Sequence, residues 1–183
     1  MKSLKESIFD DVEDIVNDDT VLIEQFLKDN YIIEGTYDIN GNVVDVKGDV
    51  IVKNEKIESL TNGLFRFGKV SGNFYCTGCP KLKTLEGAPE KVGFDFYCYD
   101  CSNLISLKGV PTEVGMSFWC CGCSKLASLE GAPEKVGLDF DCSDCPNLIS
   151  LKSAPKKVGR KFDCSGCENL QITDRDRKKY KIS

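Results

Sequence analysis

The stretch "DFYCYDC" at Asp95–Cys101 and its counterpart "SFWCCGC" at Ser117–Cys123 each end in a C-x-x-C pair. Such pairs serve as zinc ligands, as redox thiols or as neither, and the choice decides the fold. Laid out at a fixed period, the chain repeats the word: "NFYCTGC" begins at Asn73, "DFYCYDC" at Asp95, "SFWCCGC" at Ser117, "DFDCSDC" at Asp139 and "KFDCSGC" at Lys161, always 22 residues apart. Equally regular spacers run between them, "LKTLEGAPEKVG", "LISLKGVPTEVG", "LASLEGAPEKVG" and "LISLKSAPKKVG". A period of this length marks stacked supersecondary units.

Within the unit that starts at Val92, the apolar positions are Val92, Phe96, Cys98, Cys101, Leu104 and Leu107. Phe96 and Cys98 alternate with Asp95, Tyr97 and Tyr99, the period of a short strand with one buried face. Gly109 and Pro111 after Leu107 exclude a helix, and Gly115 before the next strand suits a turn. One strand, one bend and one irregular return describe a coil of a solenoid. About six coils are expected, with parallel strands centred near Val52, Phe74, Phe96, Phe118, Phe140 and Phe162. A lone coil cannot stand, because about four large apolar side chains supply roughly 6 to 12 kcal/mol against on the order of 1 to 2 kcal/mol of ordering cost per residue. Stacking and caps are therefore required.

With these positions in place the chain resembles the leucine-rich repeats, especially short repeats of uncharacterised bacterial and bacteriophage proteins. The pattern L-x-x-L-x-L-x-x-N/C-x-x-L falls on Phe96, Cys98, Cys101 and Leu104, with Cys101 at the position that is Asn or Cys in the family. The spacer "SLEGAPEKVG" and the lead-in "YDINGNVVDVKGDVIVKN" are similar to phage-encoded examples, and the resemblance covers residues 36–172. The chain departs from the family in placing Phe and Cys where most members have Leu. The resemblance implies a right-handed solenoid, a binding scaffold with no catalytic residues, and a phage accessory or host-interaction role in the host cytoplasm.

In this register Cys98 faces inward and Cys101 sits at the turn, where ladder side chains satisfy backbone groups of the neighbouring coil. Both are expected to be buried, reduced and structural, since a free Cys packs as a small apolar residue. Two readings compete. Strands stacked at about 4.8 Å bring Cys98, Cys101, Cys120 and Cys123 near enough to weigh a four-cysteine zinc site, and ladder disulfides fit the same spacing. Eleven cysteines cannot all pair within one chain, and Cys121, on an outward position, is expected to be the exposed thiol.

The 183 residues fit one domain, with 41% apolar and 29% charged residues. The start "MKSLKESIFDD" lacks a signal-like apolar core, and no stretch is long and apolar enough for a membrane span, so the expected location is cytoplasmic. The absence of histidine removes Ser/His and Cys/His nucleophiles, histidine bases and mixed Cys/His metal sites. No cofactor is expected, and no enzyme. Residues 1–60 hold 15 Asp/Glu against 6 Lys/Arg, whereas residues 152–183 hold 10 Lys/Arg against 4 Asp/Glu. An overall charge of −5 and so short a basic tail argue against a dedicated nucleic-acid binder.

Four regions follow. Residues 1–30 form an acidic helical segment, with a capping-box pattern at Ser3 and Glu6, an apolar stripe at Leu4, Ile8, Val12 and Ile15, and a second helix from Asp19 or Thr20 carrying Leu22, Ile23, Phe26 and Leu27. Residues 31–72 hold a hairpin about Asn40-Gly41 and a Cys-free first coil with Val50, Val52, Ile57 and Leu60. Residues 73–172 carry the five Cys-containing repeats. Residues 173–183 form a basic cap in which Thr173 and Asp176 make a helix-start box.

The outward strand positions are Asn73, Tyr75 and Thr77, then Asp95, Tyr97 and Tyr99, then Ser117, Trp119 and Cys121, then Asp139, Asp141 and Ser143, and Lys161, Asp163 and Ser165. One column reads Tyr75, Tyr97, Trp119, Asp141 and Asp163. Adjacent aromatics on a parallel sheet stack for packing alone, worth about 0.2 to 1 kcal/mol per pair. The only Trp, flanked by Tyr and bordered by carboxylates, also has the composition of an interface anchor with a polar rim. The column, with Tyr99, is therefore the candidate surface for a protein partner with apolar or basic groups. A virion or assembly component and a zinc protein are the alternative readings.

Overall fold

In the computed structural model, which describes residues 19–182, these residues form a parallel β-solenoid of about six turns preceded by a helix. The stripe at Leu4–Ile15 and the Ser3 box lie outside the described residues. Helix α1 spans 19–30 in its described part and buries Ile23 and Leu27, while Leu22 stays exposed. Strand β1 (Tyr31–Asn40) returns antiparallel as β2 (Val43–Val52) through the two-residue turn Gly41-Asn42, one position beyond the expected centre. Gly41 takes a φ of 59°, the left-handed conformation such a turn needs.

Strand β2 is the template on which every coil is laid. Its first half pairs in parallel with β3 (Arg66–Val70) and its second half with β4 (Phe74–Tyr75), so each coil contributes one strand bent into two short segments. The first ladder continues through β5 (Lys91–Val92), β7 (Glu113–Val114), β9 (Lys135–Val136) and β11 (Lys157–Val158). The second continues through β6 (Phe96–Tyr97), β8 (Phe118–Trp119), β10 (Phe140–Asp141) and β12 (Phe162–Asp163). The partner of Phe74 in β2 is Val50 rather than Val52. The step from the first coil to the second is thus 24 residues, because the irregular "TNGLFRFGKV" lengthens that return by two.

Each column of the repeat has its own packing role. Phe74, Phe96, Phe118, Phe140 and Phe162 stack through the core at centroid separations of 5.2 to 5.5 Å. Aromatic pairs of this kind are worth about 0.5 to 1.5 kcal/mol each beyond the area they bury. Phe67 and Tyr31 close the stack at the first coil, and Tyr180 closes it at the last, 4.0 Å from Phe162. Tyr180 is delivered by α2 (Asp174–Tyr180), whose N-terminus carries the expected capping box of Thr173 and Asp176. Its hydroxyl donates to the Pro155 carbonyl at 2.8 Å.

Two columns are set by how closely coils approach. A Cβ on Gly93, Gly115, Gly137 or Gly159 would lie 1.8 to 2.1 Å from a carbonyl oxygen of the preceding coil, so these glycines permit contact rather than turn the chain. Gly78, Asp100, Gly122, Asp144 and Gly166 all have φ between 53° and 69°. There Asp and Gly alternate because the carboxylate of Asp100 occupies the space that a Cβ on Gly122 would need, and Asp144 does the same over Gly166. Asp tolerates the left-handed conformation better than most residues, which lets it hold every second place.

Gly115→Ala is expected to destabilise the fold by on the order of 3 kcal/mol, because the clash is with backbone that cannot rotate away. Urea unfolding followed by circular dichroism measures it; an unchanged midpoint would contradict the close-approach role.

Candidate functional site

The strand registers place Ile32, Ile51, Tyr75, Tyr97, Trp119, Asp141 and Asp163 side by side in one row across the sheet. The five predicted column residues are brought together as expected, each half-buried. Ile51 and Ile32, the latter 47% exposed, extend the row and were missed in the sequence. Their signal was present: a two-residue turn at Gly41-Asn42 sets Ile32 opposite Ile51, and the 24-residue first step sets Ile51 beside Tyr75.

The rings lie flat on one another along the solenoid. Tyr75 and Tyr97 are 4.7 Å apart with planes 2° from parallel, and Tyr97 and Trp119 are 6.3 Å apart at 9°. From Tyr75 to Trp119 the ring faces therefore cover each other, and the row turns from rings to carboxylates between Trp119 and Asp141. Tyr99 stands edge-on to Tyr97 at 6.3 Å and 86°. The Tyr97 hydroxyl donates to Asp95 Oδ2 at 3.1 Å; burial, with the Asp95 charge beside it, pushes the phenol up to about 12.

At the acidic end of the row the two carboxylates differ. Asp163 pairs with Lys161 Nζ at 2.5 Å and accepts from the Ser165 amide and hydroxyl, and these partners hold its pKa down to about 2. Asp141 Oδ1 accepts from the Ser143 amide at 2.8 Å and hydroxyl at 2.6 Å, and it enters no ion pair among the described residues. Its charge is left beside Trp119, whose Nε1 is buried without a hydrogen-bond partner among the described residues.

Several expected outward residues turn out to be structural. Ser117, Asp139 and Ser143 are buried rather than exposed. The column Asp49, Asn73, Asp95, Ser117 and Asp139 turns its side chains along the axis, each oxygen accepting the backbone N–H of the corresponding residue in the next coil. Arg160 adds a bidentate pair to Asp139, which lowers that carboxyl's pKa. Ser143 is drawn in by its bonds to Asp141.

The cysteines form two further columns. Cys101, Cys123, Cys145 and Cys167 each donate a thiol hydrogen to the carbonyl of the first cysteine in the preceding coil, at 3.0 to 3.4 Å. This is the ladder role read from the spacing for Cys101. Cys98 and Cys120 are fully buried in the core, and Cys76 and Cys142 donate to carbonyls of the next coil. All eleven are free thiols. Among the described residues no three His, Cys, Asp or Glu side chains are gathered as a metal ion would require; Cys98, Cys101, Cys120 and Cys123 are spread along two columns. Cys121 is half-buried rather than exposed, and burial, reinforced by Asp141, pushes its thiol up to about 11.

Burial raises the pKa of Cys76, Cys98, Cys120 and Cys142 well above the usual thiol value. A group held protonated by the fold contributes stability that is complete below its unfolded pKa and is lost as pH rises beyond it. Stability is therefore expected to be flat from neutral pH to about 8.5 and then to fall by about 1.4 kcal/mol per pH unit for each such thiol. Urea midpoints between neutral pH and pH 10 test this, and a midpoint that held steady to pH 10 would contradict it. Among the described residues no helix is long and apolar enough to cross a membrane. Compared with protein-family models, curated proteins and solved structures, the chain matches none, so its site rests on its own geometry.

Proposed function

We propose that this chain is a non-enzymatic protein-interaction module, a short solenoid of leucine-rich-repeat character acting in the cytoplasm. Its partner lies along the row from Ile32 to Asp163. The observation that carries this reading is the unbroken run of Ile32, Ile51, Tyr75, Tyr97 and Trp119, which leaves apolar side chains partly exposed while the Phe column already supplies a core. At a strand spacing of about 4.8 Å these five positions span roughly 19 Å, enough for a short segment of a partner chain.

The step from Trp119 to Asp141 specifies the chemistry. A ring is followed by a carboxylate with no cationic partner among the described residues, so a Lys or Arg side chain placed there gains both the ring and the charge. The matching ligand carries an apolar ridge ending in a cation. Tyr99, beside Tyr97, widens the apolar part of the surface.

Trp119→Ala and Tyr97→Ala are each expected to weaken a verified partner by on the order of 2 kcal/mol while circular dichroism stays unchanged. Asp141→Lys is expected to weaken it through repulsion of the cation. The test begins with affinity capture and cross-linking using the wild-type chain, followed by calorimetric titration of the identified partner against the three variants. Unchanged affinity in both aromatic variants would reduce the row to sheet packing.

A further inference from the structure

The two ends of the solenoid carry opposite charge, and among the described residues both leave sheet edges without a strand partner. At the first end, β1 pairs with β2 alone among the described residues, and most of its residues from Ile32 to Asn40 are exposed. Glu34 and Asp38 stand exposed on it, and an open groove of about 470 Å³ beside it is lined by Glu24 and Lys28 with Leu27, Tyr31, Ile33 and Tyr37; over residues 19–40 the carboxylates Asp19, Glu24, Asp29, Glu34 and Asp38 outnumber the single cation Lys28. At the other end, β11 and β12 terminate the strand order. Two grooves of about 260 and 560 Å³ separate those strands from the last turn of α2, with Lys156, Lys157, Arg160, Lys161, Lys179 and Lys181 in their walls against one carboxylate, Asp163; Lys156, Arg160 and Lys161 are held in ion pairs with Glu134, Asp139 and Asp163. Lys157 and Lys178 enter no ion pair among the described residues.

Charged edges are a common defence against edge-to-edge aggregation. One sign at both ends would serve that purpose. Opposite signs repel head-to-head and tail-to-tail contacts but favour head-to-tail contact. The separation also matters: six strand spacings of about 4.8 Å hold the edges roughly 29 Å apart, several times the ~8 Å Debye length at physiological salt. The rigid stack prevents the ends from neutralising each other within one molecule.

We propose that a second copy of this chain docks head-to-tail, the acidic β1 edge of one molecule against the basic β11/β12 edge of the next. The contact is heterologous, so it generates linear assemblies rather than a closed dimer. It uses the ends of the solenoid and leaves the row at Trp119 open on its side.

Sedimentation equilibrium of the full chain over a range of concentrations tests this, at ~0.01 M salt and again at ~1 M, where the Debye length falls from about 30 to 3 Å. The weight-average mass is expected to rise with concentration at low salt, to about twice the 20.3 kDa monomer or more, and to return to the monomer at high salt. Glu24→Lys/Glu34→Lys reverses two of the carboxylates at the β1 end, and Lys157→Glu/Lys178→Glu reverses two unpaired cations at the other, so that each variant sets like charges against each other at these positions of the contact. Each variant alone is expected to be monomeric, and an equimolar mixture is expected to associate again, which shows that the variants remain folded. A wild-type chain that stays monomeric at every concentration in low salt overturns the proposal. So does association that survives either reversal, or a mixture of folded variants that fails to associate.

Discussion

Every side chain in the repeats lies beside its own counterpart one coil away, at the spacing of hydrogen-bonded strands. This stacking turns each position of the 22-residue unit into a column, and a residue type is acceptable only if it tolerates a neighbour of the same column on both sides. Phe satisfies the condition by stacking ring on ring, and Gly by having no Cβ where coils touch. Where one residue type cannot follow itself, two alternate, as Asp and Gly do at the left-handed position. The caps obey the same constraint: Tyr31 and Tyr180 are aromatic because the column they close is aromatic.

Two columns show how polar atoms are accommodated at that spacing. Asp49, Asn73, Asp95, Ser117 and Asp139 send an oxygen along the axis to an amide of the next coil, at the bend where the two strand segments separate and backbone pairing lapses. The second cysteines send a thiol back to a carbonyl of the preceding coil. Buried backbone groups need partners, and here side chains supply them where the ladder does not. Thiols suit a dry interior because the neutral form is both small and able to donate.

The solenoid, the inward Phe and Cys positions and the capping box at Thr173 were legible in the sequence because each rests on local spacing. The extent of the outer row was not. It depends on one irregular return of 24 residues and on the register of a hairpin, so Ile32 and Ile51 join Tyr75 only when strands distant in sequence are laid together. Asp139 and Ser117 were misplaced for a related reason: alternation assigns a face, but an amide one coil away draws the side chain along the axis. The inner columns are thus fixed by packing, while the outer row at Tyr97, Trp119 and Asp141 stays half-buried at the surface.

The stack depends most on the cysteines being hydrogen-bonded thiols that hold coils in register. The S–H stretching band in the Raman spectrum of natively purified protein reports on them directly. The structure requires a band accounting for all eleven thiols, with a component lowered in frequency by S–H···O=C bonding that disappears on unfolding. A band too weak for eleven thiols, or one whose frequency does not change when the protein unfolds, would contradict it.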